Sequence, residues 1–263
     1  SNYLNIFVMN SKILPRIIVS LIIRDDYLIK TKQFDGEIYI GDPINSLRIF
    51  NDLEVDEIII LDIDKSVKNI KINFEFLKKL STECFMPVTY GGGVKTLEDV
   101  NKLISIGIEK ISFNSLIYDD FETFKKVCDN YGAQSVVASI DVRLIQNKFS
   151  IFTHNGKKKV DIKLENIIEK LNTLGIGEIL LTDINRDGMR NDFNIRLIEE
   201  VNKLTNIPII INGGASKYEN FKLAINSGAS AVAGSSIFTL NPSFETVLID
   251  YPNHEEKKKI FEK

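Results

Sequence analysis

Glu57-Ile58-Ile59-Ile60-Leu61-Asp62-Ile63 returns 121 residues later as Glu178-Ile179-Leu180-Leu181-Thr182-Asp183-Ile184. Around this pair the same offset holds without a gap: Pro87 recurs as Pro208, Gly92-Gly93 as Gly213-Gly214, Glu98 as Glu219, Gly107 as Gly228 and Ser115 as Ser236. A constant offset over that distance marks two halves of similar structure carrying similar sites in similar places.

The quoted stretch is a short run of Ile and Leu with an acid at each end and no polar alternation. That is how a strand buried on both faces of a parallel sheet looks. Seven further runs share this character, so the eight are 17–23, 58–63, 87–90, 111–113, 135–142, 179–184, 208–211 and 231–233. Helix-like segments lie between them at 73–81, 97–105, 121–131, 164–174, 195–204 and 218–227. Gly107, Gly132, Gly175 and Gly228 follow helical segments and are candidate C-caps. Two halves of four strands give the number that closes a parallel barrel. The rival open sheet lacks support, because no Gly-x-Gly-x-x-Gly follows the first strand. The expectation is therefore an α/β protein: one (β/α)8 TIM barrel of two half-barrels, a single domain over 1–263, with a leader at 1–14 and a charged tail at 253–263. A short hairpin is expected at 147–160, inserted after the fifth strand.

The bulk numbers agree with this. A barrel of this kind takes about 250 residues, and the chain has 263, of which 44% are hydrophobic. Its net charge of −3 gives no bulk reason to expect nucleic acid or an anionic membrane as partner. No run of about 18 apolar residues is present, and the first fourteen lack the features of a secretory signal, so a cytoplasmic protein is expected. Cys84 and Cys128 make no disulfide framework. The only two histidines, His154 in a turn-like stretch and His254 in the tail, read as bystanders.

In such barrels the chemistry sits at the C-terminal ends of the strands. There the third strand ends in Gly91-Gly92-Gly93, the fourth in Asn114-Ser115, the seventh in Gly213-Gly214 and the eighth in Ser235-Ser236. Glycines let backbone amides approach an anion, and hydroxyls add donors. Four matched strand ends predict two phosphate cradles and a ligand with a phosphate at each end. Asp187-Gly188 after strand six is a further phosphate-loop candidate. Three strand ends carry an aspartate. Asp141 is taken as a general acid or base, and Asp62 and Asp183 as supports of loops and ligand. Lys30, Lys32 and Phe34 fall in what the pattern gives as a long loop that closes over the ligand; whether the two lysines serve it or are only solvated charge stays open. At the opposite end, Arg16, Glu57, Lys110 and Glu178 each stand immediately before an apolar run. Facing inward, they would form a ring of two cations and two anions, which suggests a gate.

In these residues the chain resembles the cyclase subunit family of imidazole glycerol phosphate synthase, a histidine-biosynthesis barrel. The resemblance spans roughly 15–238. It is carried by Arg16-Ile17-Ile18, Gly41-Asp42-Pro43, Asp56-Glu57, Leu61-Asp62-Ile63, Gly91-Gly92-Gly93, Ile140-Asp141, Gly177-Glu178-Ile179-Leu180-Leu181-Thr182, Arg186-Asp187-Gly188 and Gly213-Gly214-Ala215. It implies a glutaminase subunit docked on the barrel bottom and ammonia passing a charged gate at Arg16, Glu57, Lys110 and Glu178. The sister isomerase family has the same barrel and two-phosphate substrate but needs no ammonia. The resemblance also implies catalytic aspartates at the ends of strands one and five. Asp141 matches the second, but the first falls on Ile22, which cannot transfer a proton; Asp25 and Asp26 do not align with it. Lys30 matches a family ligand contact, whereas a phosphate-binding arginine falls on Ile38 and a usual threonine on Met189.

A gate kept beside half a catalytic pair resembles the branch of cyclase-like proteins found in surface-polysaccharide and flagellin-sugar loci, thought to deliver ammonia to a sugar amidotransferase. The expected function is thus a glutamine amidotransferase subunit of lyase type, with a phosphorylated small-molecule ligand and neither metal nor redox cofactor. The alternatives are a working cyclase of histidine biosynthesis and a non-catalytic barrel that activates or docks its glutaminase.

Overall fold

A computed structural model describes residues 13–241 and 246–262; most of the leader expected at 1–14 lies outside them. Among the described residues there are twelve strands: β1 (Arg16–Arg24), β2 (Tyr27–Lys32), β3 (Asp35–Gly41), β4 (Glu57–Asp62), β5 (Val88–Gly91), β6 (Lys110–Phe113), β7 (Val136–Ile145), β8 (Lys148–Thr153), β9 (Lys158–Lys163), β10 (Glu178–Asp183), β11 (Ile209–Asn212) and β12 (Ala231–Gly234). The helices are α1 (Pro43–Asp52), α2 (Ile63–Val67), α3 (Phe74–Thr82), α4 (Leu97–Ser105), α5 (Ser115–Asp119), α6 (Phe121–Tyr131), α7 (Leu164–Asn172), α8 (Ile195–Asn202), α9 (Glu219–Asn226), α10 (Ser236–Thr239) and α11 (His254–Glu262).

Eight of the strands run parallel in the order β1-β4-β5-β6-β7-β10-β11-β12, and β12 pairs with β1 to close the (β/α)8 barrel. All eight apolar runs are barrel strands. The internal repeat is visible in the elements themselves: β4, β5 and β6 recur residue for residue, 121 positions on, as β10, β11 and β12.

The lack of alternation in these strands has a plain cause, since both faces are covered. Ile18, Ile59, Val137, Leu180, Ile210, Ala231 and Ala233 fill the barrel interior, with Leu61 packed against them. Their neighbours Ile17, Val19, Ile58, Ile60, Ala138, Ile140, Ile179 and Leu181 face the helix layer. Fully burying each large aliphatic side chain stabilises the fold by about 1.5–3 kcal/mol. The helices bury one stripe each; α4 packs Val100 and Leu103, three apart, and is closed at its start by a reciprocal cap between Thr96 and Asp99.

Four expectations change. The segment after the first strand is not a loop but the β2–β3 hairpin, antiparallel to the top of β1, with tight turns at Asp25-Asp26 and Gln33-Phe34, all four at positive φ. The insertion after the fifth strand is a hairpin, and a longer one: β8 and β9 extend β7 by antiparallel pairing. Helix α1 was not marked by periodicity, although its Asp42-Pro43 start carries the signal: Asp42 accepts from the Asn45 amide and Pro43 opens the first turn. Gly107, Gly132 and Gly228 do hold left-handed φ beyond their helices, but Gly175 does not; α7 ends at Asn172 with Thr173 as its cap.

Gly175 and Gly177 make a direct test of this packing. A Cβ on Gly175 meets nothing within 4 Å, whereas on Gly177 it would stand 1.8 Å from the Ala133 carbonyl oxygen. Gly175→Ala should be neutral or add up to about 1 kcal/mol by restricting the unfolded chain. Gly177→Ala should cost about 1–3 kcal/mol through forced backbone movement. Urea unfolding of the two variants measures both.

Candidate active site

The C-terminal ends of the barrel strands form two adjoining hollows. The first is lined by Gly91, Gly92, Gly93, Asn114 and Ser115 together with Asp62, Ser66, Ser139 and Asp141. The second is lined by Gly188, Gly213, Gly214, Ser235 and Ser236 together with Lys30, Asp187, Arg190 and Asn212. The two sets of strand ends picked out by the repeat thus converge, each in its own half. Glycine is required at their centres. Gly92 (φ +138°) leaves an added Cβ 2.4 Å from the Asp62 carbonyl oxygen, and Gly213 (φ +86°) leaves one 2.7 Å from that of Asp183. These are counterparts in the repeat, packed on counterpart aspartates.

The fittings of the halves differ. Asp183 is fully engaged, its carboxylate accepting from Asn194 Nδ2 at 2.6 Å and from the Asn185 amide at 3.0 Å, so it organises the loop after β10. Asp62 keeps Oδ1 without a partner among the described residues, and Lys65 Nζ is 3.6 Å from the other oxygen. Burial lifts its titration to about 6, against the pull of Lys65. Asp141 accepts from Asn114 Nδ2 at 3.2 Å. Burial, and secondarily the charge of Asp187, push it up to about 7 despite hydrogen bonds from Thr182 and Ser139. Asp187 is also held above the ordinary carboxylate range, by burial that Lys30 only partly offsets. Burial pushes the Lys30 amine down, partly countered by Asp187. The mouth therefore gathers carboxyl groups able to carry a proton near neutrality and one buried amine, groups suited to acid–base work.

Both hairpins fold over this mouth. The Gln33 amide donates to the Asp187 carbonyl oxygen at 2.8 Å, and Gln33 Nε2 donates to that of Asn185, also at 2.8 Å. Thr31 Oγ1 lies 3.4 Å from Asp187 Oδ2. Phe34 and Asn155, at the two hairpin tips, both line the first hollow. Lys30 and Lys32 line a side cavity beyond the second, with Ile38, Met189 and Arg190.

At the opposite end the four expected charges meet. Arg16 donates to Glu57 at 2.5 Å and also to Glu178; Lys110 Nζ donates to Glu57 at 3.1 Å and to Glu178 at 2.8 Å. Each cation bridges both anions, and Thr89 Oγ1 adds a bond to Glu57 at 3.0 Å. Burial would raise the Glu178 carboxyl, but hydrogen bonds from Lys110 and Arg16 more than offset it and hold it below its ordinary value.

Strand register places Ile22 independently of any alignment. Asp141 pairs with Thr182, and Ile22 pairs with Leu61, which is the repeat counterpart of Thr182. Ile22 therefore occupies in the first half the place of Asp141 in the second, and it is buried and apolar. Asp25 and Asp26 do not fill the gap. They form the β1–β2 turn, and Asp26 accepts from Asn73 Nδ2 at 2.9 Å.

Sequence reasoning missed Lys65, Thr31, Asn212 and Arg190. Lys65 is a buried lysine on α2, a helix of five residues, too short to leave a periodic trace. Arg190 sits in an irregular loop at φ +51° and donates to the Ser236 and Leu240 carbonyls.

A closed duplicated barrel with glycine-built hollows at one end and a ring of charges at the other defines a class of synthase barrel, and the comparisons agree. The family model for "Histidine biosynthesis protein" matches residues 16–241. A protein of Leptospira borgpetersenii named "Putative imidazole glycerol phosphate synthase subunit HisF" is 38% identical over 250 residues, 94% of this chain and 98% of the relative. A Pseudomonas aeruginosa protein, "Putative imidazole glycerol phosphate synthase subunit hisF2", is 40% identical over 240 residues, 90% of this chain and 96% of its own. "Imidazole glycerol phosphate synthase subunit HisF" of a Thermotoga species is 34% identical over 223 residues, 85% and 88% of the two chains. The chain belongs to the histidine-biosynthesis barrel family and is HisF-like. No described helix is long and apolar enough to cross a membrane.

The raised carboxyl of Asp141 has a consequence for stability. Unfolded, it titrates near 3.9; folded, near 7. Between those values the folded state holds a proton that the unfolded state has released, so stability falls as pH rises from about 4 through about 7. Asp62 contributes in the same direction up to about 6. Asp141→Asn should flatten this slope and be more stable than the parent at pH 8 than at pH 5, in thermal melts across that range.

Proposed function

We propose that this chain is the barrel subunit of a glutamine amidotransferase. In this reading a glutaminase docks on the barrel bottom, ammonia enters through the ring of Arg16, Glu57, Lys110 and Glu178, and a phosphorylated ligand receives it at the top. The carrying observation is the ring itself. Four partly buried charges closed on one another are an expensive way to stabilise a barrel end, since desolvation offsets much of their attraction, but a suitable way to control a passage. Above it, strand alternation turns Ser20, Ser112, Ser139 and Thr182 toward the lumen, and Ser112 Oγ has no partner among the described residues. These are hydroxyls that a small polar molecule can use.

At the mouth, Asp141 is the acid–base group. Gly92, Gly93, Asn114 and Ser115 hold one phosphate; Gly188, Gly213, Gly214, Ser235 and Ser236 hold the other with Lys30, whose charge Asp187 supports. Apolar Ile22 opposite Asp141 supports a specialised branch, in which the barrel delivers ammonia for nitrogen transfer in surface-polysaccharide or flagellin-sugar synthesis, with a sugar amidotransferase downstream. The numbered relative hisF2 fits a second copy beside a housekeeping synthase.

The second reading is a working cyclase of histidine biosynthesis, favoured by the intact pair of hollows. The third is a barrel that only docks or activates its glutaminase. The assay that separates them supplies phosphoribulosyl-formimino-aminoimidazole carboxamide ribotide and saturating ammonium salt to the purified chain and follows release of aminoimidazole carboxamide ribotide. Turnover near one per second, an ordinary enzyme rate, supports the second reading. A rate lower by orders of magnitude that Ile22→Asp raises, and that Asp141→Asn lowers by a further 10²–10⁴-fold (roughly the worth of a general acid or base), supports the first. Ligand binding that survives Asp141→Asn, with no turnover in any form, supports the third.

A further inference from the structure

The ring stands on two strand starts, and those starts are clamped from the far end of the chain. Ile17 follows Arg16, and Asp56 precedes Glu57. The Asp56 carboxylate accepts the Ile17 amide on Oδ2 at 2.9 Å and Lys257 Nζ on Oδ1 at 2.7 Å. The Tyr251 hydroxyl donates to the Ile17 carbonyl oxygen at 2.6 Å and accepts the Asp56 amide at 3.1 Å. Lys257 also lies over the Tyr251 ring, 5.2 Å from its centroid. Both side chains are buried, Tyr251 at 4% and Lys257 at 8% exposure, which for a lysine calls for a specific partner. Each bond therefore lands on a residue adjoining a ring member, and both the amide and the carbonyl of Ile17 are held.

We propose that Tyr251 and Lys257 are positioning residues for the charged ring. They fix the spacing and pitch of the β1 and β4 starts, so that Arg16 meets Glu57 and Glu178 together. The family model ends at residue 241, so the clamp comes from beyond the stretch it matches. The hydrogen bonds are geometrically demanding. A shift of about 1 Å in either strand start would separate a guanidinium from one of its two carboxylates. The functional meaning rests on the reading of the ring as an ammonia passage; the positioning does not.

The test uses the full-length chain with carboxyl-labelled glutamate and follows the Glu178 carboxyl by carbon-13 NMR against pH. In the parent it should titrate below the ordinary glutamate value. Tyr251→Phe removes one hydroxyl and keeps the ring packing against Phe238; Lys257→Met keeps the stem and loses the charge. Each should move the Glu178 midpoint upward by about half a pH unit or more, equivalent to roughly 0.7 kcal/mol of lost ring contact, while unfolding stays cooperative. Lys257→Arg should restore most of the parent value. An unmoved Glu178 midpoint in both Tyr251→Phe and Lys257→Met, each still unfolding cooperatively, would overturn the proposal. Should one variant fail to fold, the other still decides. Because this readout needs no turnover, the outcome of the ribotide and ammonium assay bears on the functional reading alone.

Discussion

Strand β1 is hydrogen-bonded along both edges, to β12 on one side and β4 on the other, and everything functional depends on that closure. A closed parallel sheet has two ends of opposite character. All strand starts meet at one and all strand finishes at the other. Arg16 and Glu178 lie 162 residues apart and still share a hydrogen bond, because closure brings the starts of β1 and β10 to one rim. Once assembled, the ring is self-consistent: two cations, two anions, each bridging two others. Taking away one member would leave the rest uncompensated in a partly buried place, a loss of about 3–5 kcal/mol for comparable buried pairs.

The same closure makes the two halves comparable position by position, and the comparison shows a shared scaffold with unequal fittings. The glycines at 92 and 213 are needed for the same reason, close approach to a counterpart aspartate's carbonyl. The aspartates themselves have parted: Asp183 is saturated by loop donors, whereas Asp62 retains an oxygen with no partner among the described residues. On the neighbouring strands, Asp141 faces a first-half counterpart that is isoleucine. At the register-matched positions one half carries a carboxylate, Asp141, and the other a buried apolar side chain, Ile22.

The hairpins turn an open mouth into a covered one. β2–β3 reaches from the first strand to the loop after β10, and its tip is held mainly by bonds to that loop's backbone. A latch made of a few hydrogen bonds, each worth about 1 kcal/mol net, can hold a lid without locking it. Asp187 is central here. Its backbone holds Gln33, its side chain faces Thr31 and Lys30, and its charge reaches Asp141.

Much of this was legible in the sequence. The apolar runs, their acidic flanks and the constant offset of 121 determine eight strands in two halves, because burial on both faces leaves no room for polar alternation. The strand-end glycines and the four charges before apolar runs mark the two ends of the barrel for the same reason: position relative to a strand is a local property. What the tertiary structure decided is whatever depends on meeting across the fold. The segment after the first strand looked like a loop because Gln33-Phe34 carries no turn signal and Asp25-Asp26 lacks the glycine that usually marks a two-residue hairpin turn; pairing with β1 makes it a hairpin. Lys65 and Arg190 carried no pattern. The Tyr251–Asp56–Lys257 clamp joins residues about two hundred positions apart, and no local spacing can encode a contact that exists only after the barrel has closed.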